Sequence, residues 1–330
     1  PPPPPPDPPT NRVSSAASDV YKRQGCHERG CTPGKPKALA MMNGDNNRQA
    51  LARLLDQSYL EVIPTPSIMD RLVHIPRHCF VAISCSPTRG VEPTLELVEN
   101  LRALPEEEQL KLIPHISARM IRDKDHLREI LSRLEAAKVE SIFVPAGDGR
   151  KPIGHYSDSL QVLRDMADIG HDIKDVGIAA YPEGHPFIND QELMRFLLEK
   201  QSFATYFVTQ MCFDPETLVN WLKDIRNAGV TLPARIGLPG VANMSRLLSL
   251  SFRIGVGQSL KQLKKQKGLL GKFINAKPYQ PDELLEGLRS HLGEPDFAIS
   301  SLHLFSFNDI ERTENWRAKT CEDLKGEHHA

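Results

Sequence analysis

A phenol, a carboxylate and an imidazole fall within five residues at Tyr181, Glu183 and His185. They follow the apolar run Val176 to Ala180 and are bracketed by Pro182 and Pro186. Proline fixes φ and restrains the residue before it, so the turn holds its polar groups on stiff backbone. Such a turn either binds a ligand or solvates a strand-to-helix loop. Other reactive residues stand beside apolar runs in the same way. Glu61 lies between Leu60 and Val62. On an exposed strand face it is ordinary; inside a sheet its carboxylate must be paired, or raised in pKa until it is a neutral acid. Ser84 opens a stretch of hydroxyls with one cation, Ser84-Cys85-Ser86-Pro87-Thr88-Arg89-Gly90, suited to phosphate. His115 sits in Pro114-His115-Ile116-Ser117, Asp148 between Gly147 and Gly149, and Gln210 at the end of Val208-Thr209-Gln210. The two glycines permit close backbone approach to a ligand, although Asp-Gly is also a common turn. His303 and Asn308 attend the last apolar run.

These residues need a scaffold that brings several strand ends together. The pattern predicts strands at Tyr59–Ile63, Phe80–Ser84, Leu112–Ile116, Ser141–Pro145, Val176–Tyr181, Tyr206–Gln210, Ala234–Leu238 and Ser301–Phe305. Helical patterns separate them: Asn46–Gln57 before the first strand, then Ile68–Leu72, Pro93–Ala103, Lys124–Ala137, Ser157–Ile169, Asp190–Lys200, Pro215–Ala228, and Asn243–Arg253 continuing towards Leu292. Asp190 and Asp214 suit helix N-termini, Pro215 a first turn and Gly229 a helix end. Strands alternating with helices pair in parallel through right-handed crossovers. Eight units fit a (β/α)8 TIM barrel, whose active sites use the C-terminal strand ends. A doubly wound open sheet is the alternative, but no Gly-x-Gly-x-x-Gly follows the first strand. The reactive residues recur at the ends of strands one, three, four, five and six. That recurrence favours a site.

Composition narrows the classes. A formal net charge of -1, with 25% charged residues, gives no reason to expect nucleic acid. The cluster Lys264-Lys265-Gln266-Lys267 reads as a solvated helix face. Six cysteines lack the spacing of a disulfide framework or zinc site, and no metal site is expected. Cys79, Cys85 and Cys212 sit in apolar runs, as core thiols of a reducing compartment do. No apolar stretch is long enough to span a membrane, so a cytoplasmic protein is expected.

Taken together, the motifs resemble the methylenetetrahydrofolate reductase family over roughly residues 58–308. Leu60-Glu61-Val62-Ile63-Pro64 is similar to that family's Phe-Glu-Phe-Phe-Pro, Pro114-His115-Ile116 to its Pro-His-Leu, and Gly147-Asp148 to the end of its Arg-Gly-Asp. Ala180-Tyr181-Pro182-Glu183-Gly184-His185-Pro186 resembles its Ala-Tyr-Pro-Glu-x-His-Pro, the most specific match, and Thr209-Gln210-Met211-Cys212-Phe213-Asp214 its Thr-Gln-x-x-Phe-Asp. The resemblance implies reduction of 5,10-methylenetetrahydrofolate to 5-methyltetrahydrofolate by NAD(P)H through FAD. It makes Glu61 the general acid, Asp148 the stabiliser of a cationic iminium, and Gln210 the reader of the pterin edge. It places Ser84, His115, Gly147, Asp148, Tyr156, Tyr181, His185 and Lys200 around the flavin. Ala146 replaces the family's Arg of Arg-Gly-Asp, and Asp309 stands where the family has an Arg near the folate.

The expected organisation is a disordered or artefactual leader over 1–42, a barrel over 43–312 and a polar tail over 313–330. The partner is a small-molecule folate, and homo-oligomerisation stays open. Three rival readings remain: a flavin-independent reductase on the same barrel, a tetrahydrofolate-dependent methyl or one-carbon transferase, and an idle folate-binding module.

Overall fold

Eight short strands alternate with helices along the chain, and every strand pair runs parallel. The computed structural model describes residues 44–77, 79–148, 151–243, 247, 278–292 and 295–326, all within one compact unit, Leu39–Ala330. The leader expected over 1–42, the lysine cluster at 264–267 and most of the helical region expected from Asn243 lie outside the described residues.

The strands are β1 (Tyr59–Val62), β2 (Phe80–Ile83), β3 (Lys111–Pro114), β4 (Ser141–Phe143), β5 (Asp175–Ala180), β6 (Tyr206–Thr209), β7 (Ala234–Pro239) and β8 (Ile299–Phe305). Their order in the sheet is β3-β2-β1-β8-β7-β6-β5-β4. The remaining seam closes where the chain passes the end of β3: His115 bridges to Phe143, and the Ile116 N–H donates to the Phe143 carbonyl at 2.8 Å. The sheet is thus the barrel of a (β/α)8 fold, and His115 sits on its closing stitch.

The described helices are α1 (Gly44–Asp56), α2 (Ile68–Leu72), α3 (Glu92–Arg102), α4 (Lys124–Ala136), α5 (Ser159–Ile169), α6 (Asp190–Lys200), α7 (Pro215–Asn227), α8 (Asp282–Arg289) and α9 (Ile310–Lys325). Side-chain caps start the middle ones. Asp123, Asp158, Asn189 and Asp214 accept backbone N–H bonds at the starts of α4, α5, α6 and α7, each satisfying donors that have no intrahelical partner. Asn189 therefore caps α6, one residue before the expected Asp190, because its side chain reaches the Glu192 N–H at 2.9 Å. The last helix is the larger departure. Residues 313–325, expected as part of a polar tail, continue α9, which buries Thr313, Trp316, Arg317 and Cys321 despite its polar composition.

Strand alternation divides the core. Leu60, Val62, Val81, Ile83, Ile142 and Ile178 pack outward against Leu95, Val98, Leu127, Ile130 and Leu163 of the helices. Each such side chain contributes about 1.5–3 kcal/mol by leaving water. Inside the barrel, Tyr59, Ala82 and Ile113 pack with Phe80 and Phe143. At the strands' N-terminal end, buried Arg235 lies over the rings of Tyr206 (3.2 Å) and Tyr59 (4.1 Å), so its charge faces aromatic π-density. This plug is structural and leaves the opposite end for chemistry. Among the described residues, no helix is long and apolar enough to cross a membrane.

Candidate active site

Three groups converge on the barrel axis. Glu61 from β1 and His303 from the adjacent β8 meet at 3.0 Å between Oε2 and Nε2. His115, arriving from the closing seam, brings its ring to 6.2 Å from that of His303, with 29° between the planes. Burial alone would raise the Glu61 pKa. The hydrogen bond from His303 and the nearby imidazoles outweigh it, and the carboxyl is held below its ordinary value. Burial takes His115 down to about 4, so its ring is neutral near pH 7. Its Nε2 is fully buried and has no hydrogen-bond partner.

The loop after β8 fixes this pair. Asn308 accepts from the Ile63 N–H at 2.7 Å and donates to the Ile63 carbonyl at 2.9 Å, while the Ser306 hydroxyl donates to the Glu61 carbonyl. Asn308 has φ +62, a left-handed conformation that asparagine tolerates better than most residues. It belongs to the framework that orients Glu61.

The loop after β4 is pinned to the loop after β3. The Ala118 and Arg119 N–H groups donate to the Pro145 and Ala146 carbonyls, both at 3.0 Å. Gly147 has φ +93, and a Cβ there would come within 2.9 Å of Ser117 Cβ, so both backbone and space require glycine. Asp148 follows, exposed. Its charge is felt at the Tyr181–His185 turn: after burial, it is the next cause pushing the Tyr181 hydroxyl up to about 12. His185 is held below its ordinary value by burial, against the opposing pull of Asp148. The Tyr181 and His185 rings meet edge-on at 5.2 Å, the rigid pair implied by the bracketing prolines.

Beside this turn, a cavity of about 600 Å³ opens between α5, α6 and α7, lined by Ala146, Tyr181, Lys200, Met194 and Trp221 among others. Lys200 is 9% exposed and has no ion-pair partner among the described residues. Burial lowers its pKa to about 8, with only partial opposition from Asp158. Acidic residues also line the cavity; Asp190 and Asp224 are exposed, and Glu183 hydrogen-bonds Cys212.

The remaining sequence-derived residues are spread more widely. The Ser84 N–H donates to Val62 at 2.9 Å, and the Ser84 carbonyl accepts from Thr94 at 3.0 Å. The Gln210 side-chain oxygen accepts from the Met211 N–H at 2.9 Å, which fixes the amide and turns its NH2 elsewhere. Tyr156 stands apart: its hydroxyl donates to Asp165 at 2.6 Å beside Lys124, in a groove separate from the larger cavity. The sequence marks His303 as a polar residue in an apolar run but carries no signal that joins it to Glu61. A pair 242 residues apart has no local signal, and only the β1–β8 register, with Tyr59 opposite His303, brings it together.

A parallel (β/α)8 barrel with an acid and two imidazoles in its interior, and a cofactor-sized cavity running from the Tyr181 turn between the outer helices, defines a class of enzyme-like scaffold. Residues 67–265 match the family described as methylenetetrahydrofolate reductase, and the chain belongs to that family. Glu61 and His303 lie outside the matched span. Among similar proteins are the 5,10-methylenetetrahydrofolate reductases of Pectobacterium carotovorum (24% identical, covering 55% of this chain and 60% of that protein) and Salmonella typhimurium (24% identical, covering 51% and 56%). Methylenetetrahydrofolate reductase 2 of Saccharomyces cerevisiae is 28% identical over 25% of this chain and 14% of its own length. The matches thus span at most 60% of these relatives. A solved structure described as an uncharacterised protein from Clostridium thermocellum that binds two copies of 5-methyl-5,6,7,8-tetrahydrofolic acid has the same fold. Its TM-score is 0.59 at 12% identity, covering 85% of this chain and 99% of that one.

Proposed function

We propose that this chain reduces 5,10-methylenetetrahydrofolate to 5-methyltetrahydrofolate with NAD(P)H, through FAD. The observation that carries the reading is the Glu61–His303 pair, an acid with its own hydrogen-bond partner on the axis of a barrel of the reductase family. Opening the substrate's five-membered ring requires a proton on the leaving nitrogen; the resting Glu61 carboxyl is held below its ordinary value, so Glu61 delivers that proton after drawing it through its hydrogen bond with His303. His303 keeps the carboxylate oriented between turnovers. The iminium formed on ring opening is cationic, and exposed Asp148, on its glycine-supported loop, supplies the counter-charge. Gln210 offers its free amide edge to the pterin.

The cavity beside Tyr181 fits an anion-bearing cofactor in one specific respect: a buried lysine with no ion-pair partner among the described residues faces it, suited to a diphosphate. Lys200, Tyr181, His185 and Gly147 would hold the flavin, with Ser84 and His115 nearer the substrate and Tyr156 at the periphery. When bound, FAD relays hydride from the nicotinamide to the folate. Ala146 at the cavity wall offers no second cation, which favours the flavin-independent variant as the competing reading.

The experiment is anaerobic NAD(P)H oxidation with methylenetetrahydrofolate, with and without added FAD. Turnover without flavin supports the competing variant, and methyl transfer without NAD(P)H consumption replaces reductase by transferase. Glu61→Gln is expected to reduce turnover at least 100-fold while folate binding, followed by calorimetry, changes less than about threefold. Undiminished turnover removes Glu61 from proton transfer.

A further inference from the structure

We propose that Glu61, His115 and His303 form a site for a divalent transition metal of the zinc class. Each contributes one ligand atom, and the three atoms lie within 4.8 Å of one another. Two imidazoles and one carboxylate are a donor set that zinc accepts, with a fourth position left for solvent or substrate. Magnesium and calcium prefer all-oxygen shells and are disfavoured here.

Two observations besides proximity point to a ligand. The His115 Nε2 is sealed from solvent with no hydrogen-bond partner, although its ring is only 6% exposed. Leaving such a nitrogen unsatisfied costs about 1–3 kcal/mol, and coordination would remove that cost. The donors are also held on rigid parts of the barrel. Glu61 and His303 lie on adjacent strands, and His115 lies on the stitch that closes the sheet. Phe143 packs on the His115 ring at 4.7 Å and Phe305 on the His303 ring at 4.9 Å, restricting both imidazoles. Ligand atoms around one zinc ion stand roughly 3.4 Å apart, given bonds of about 2.1 Å. The Glu61–His303 contact at 3.0 Å is slightly inside that spacing. Small side-chain rotations bring in the third donor.

The consequence rests on the reductase reading, whereas binding itself does not. A coordinated Glu61 carboxylate has given its lone pair to the ion and holds no proton, so zinc switches off proton delivery to the substrate. The site then makes the reductase zinc-inhibited, with the ion and the acid's proton competing for one oxygen.

The test uses the full chain with His328→Ala and His329→Ala, because Glu327-His328-His329 is itself a ligand-rich run. After treatment with a chelator, the protein is titrated with Co2+ and its visible spectrum followed. The expected result is a ligand-field band that saturates at one equivalent and is displaced by one equivalent of Zn2+. Replacing one donor, in His303→Gln or in Glu61→Gln, weakens Co2+ binding at least tenfold. Absence of the band, or a band unchanged in both variants, overturns the proposal. X-ray absorption of the zinc-loaded, otherwise unsubstituted chain provides a check that needs no core variant: an imidazole and oxygen shell supports the site, and sulfur ligation overturns it. Cobalt binding by a chain without reductase activity retains the site and removes the reductase reading. Reductase activity without cobalt binding does the reverse.

Discussion

Lys200 shows how a single side chain links stability to the proposed cofactor. Buried at the end of α6, its ammonium has lost water without gaining an ion-pair partner among the described residues, and its pKa falls from 10.5 to about 8. At about 1.4 kcal/mol for each pKa unit, that is a cost on the order of 3 kcal/mol. The sign follows from proton counts. Between about pH 8 and 10.5 the unfolded chain binds more protons at this residue than the folded one, so stability rises with pH through that window. Below about pH 8 the cost is present in full. Lys200→Met is therefore expected to raise the melting temperature at pH 7 by roughly 5 °C and to flatten the rise between pH 8 and 10. Under the proposed function it also loses the stabilisation that FAD gives the unsubstituted protein. Thermal melts across pH, with and without FAD, check both halves. An unchanged melting temperature at pH 7 means that the ammonium reaches water.

At the scale of elements, the seam between β1 and β8 matters most for the site, because it carries Glu61 and His303. Past the last paired residues, the Asn308 amide satisfies both backbone groups of Ile63 in place of a further strand pair. Asn308→Ala leaves that N–H and C=O without partners, at a cost of about 2–3 kcal/mol. The expected signature is faster hydrogen exchange at the Ile63 amide, together with a weaker Glu61–His303 contact that lowers kcat more than it raises KM. Exchange unchanged at Ile63 would show that the Asn308 side chain is not what protects this amide. The same seam shows how far sequence reading reaches. All eight strands were legible, because short apolar runs bounded by turn residues carry a local signal, and strand ends marked Glu61, His115, Asp148 and Tyr181 as neighbours in kind. Pairings across the barrel were not legible. His303 reads locally as one polar residue in an apolar strand, and only closure of the sheet makes it the partner of Glu61. The burial of Lys200 was equally invisible, since α6 looks like an ordinary amphipathic helix and the gap behind it is a property of packing.

On the scale of the whole molecule, the two ends of the barrel domain are clasped by α9, the helix whose composition reads as a tail. Its Arg317 is 3% exposed and donates to the Leu55 and Asp56 carbonyls at 3.3 and 3.1 Å, satisfying acceptors at the end of α1 that have no intrahelical partner. It also pairs with Glu314 at 2.8 Å, while the other Glu314 oxygen is buried without a partner. Trp316 extends the clasp to α8 through Asp282 at 2.9 Å. Buried ion pairs gain little over well-packed apolar groups, but removing one partner strands the other charge. Arg317→Met should therefore destabilise by about 3–5 kcal/mol, lowering the melting temperature by roughly 10 °C. Adding Glu314→Gln should recover much of that loss, because the stranded carboxylate is then gone. Equal melting temperatures for the single and double variants would assign the loss to the α1 carbonyls instead. In either case the effect is expected in stability and not in KM, since the clasp lies at the N-terminal end of β1, away from the strand ends that carry Asp148 and Tyr181.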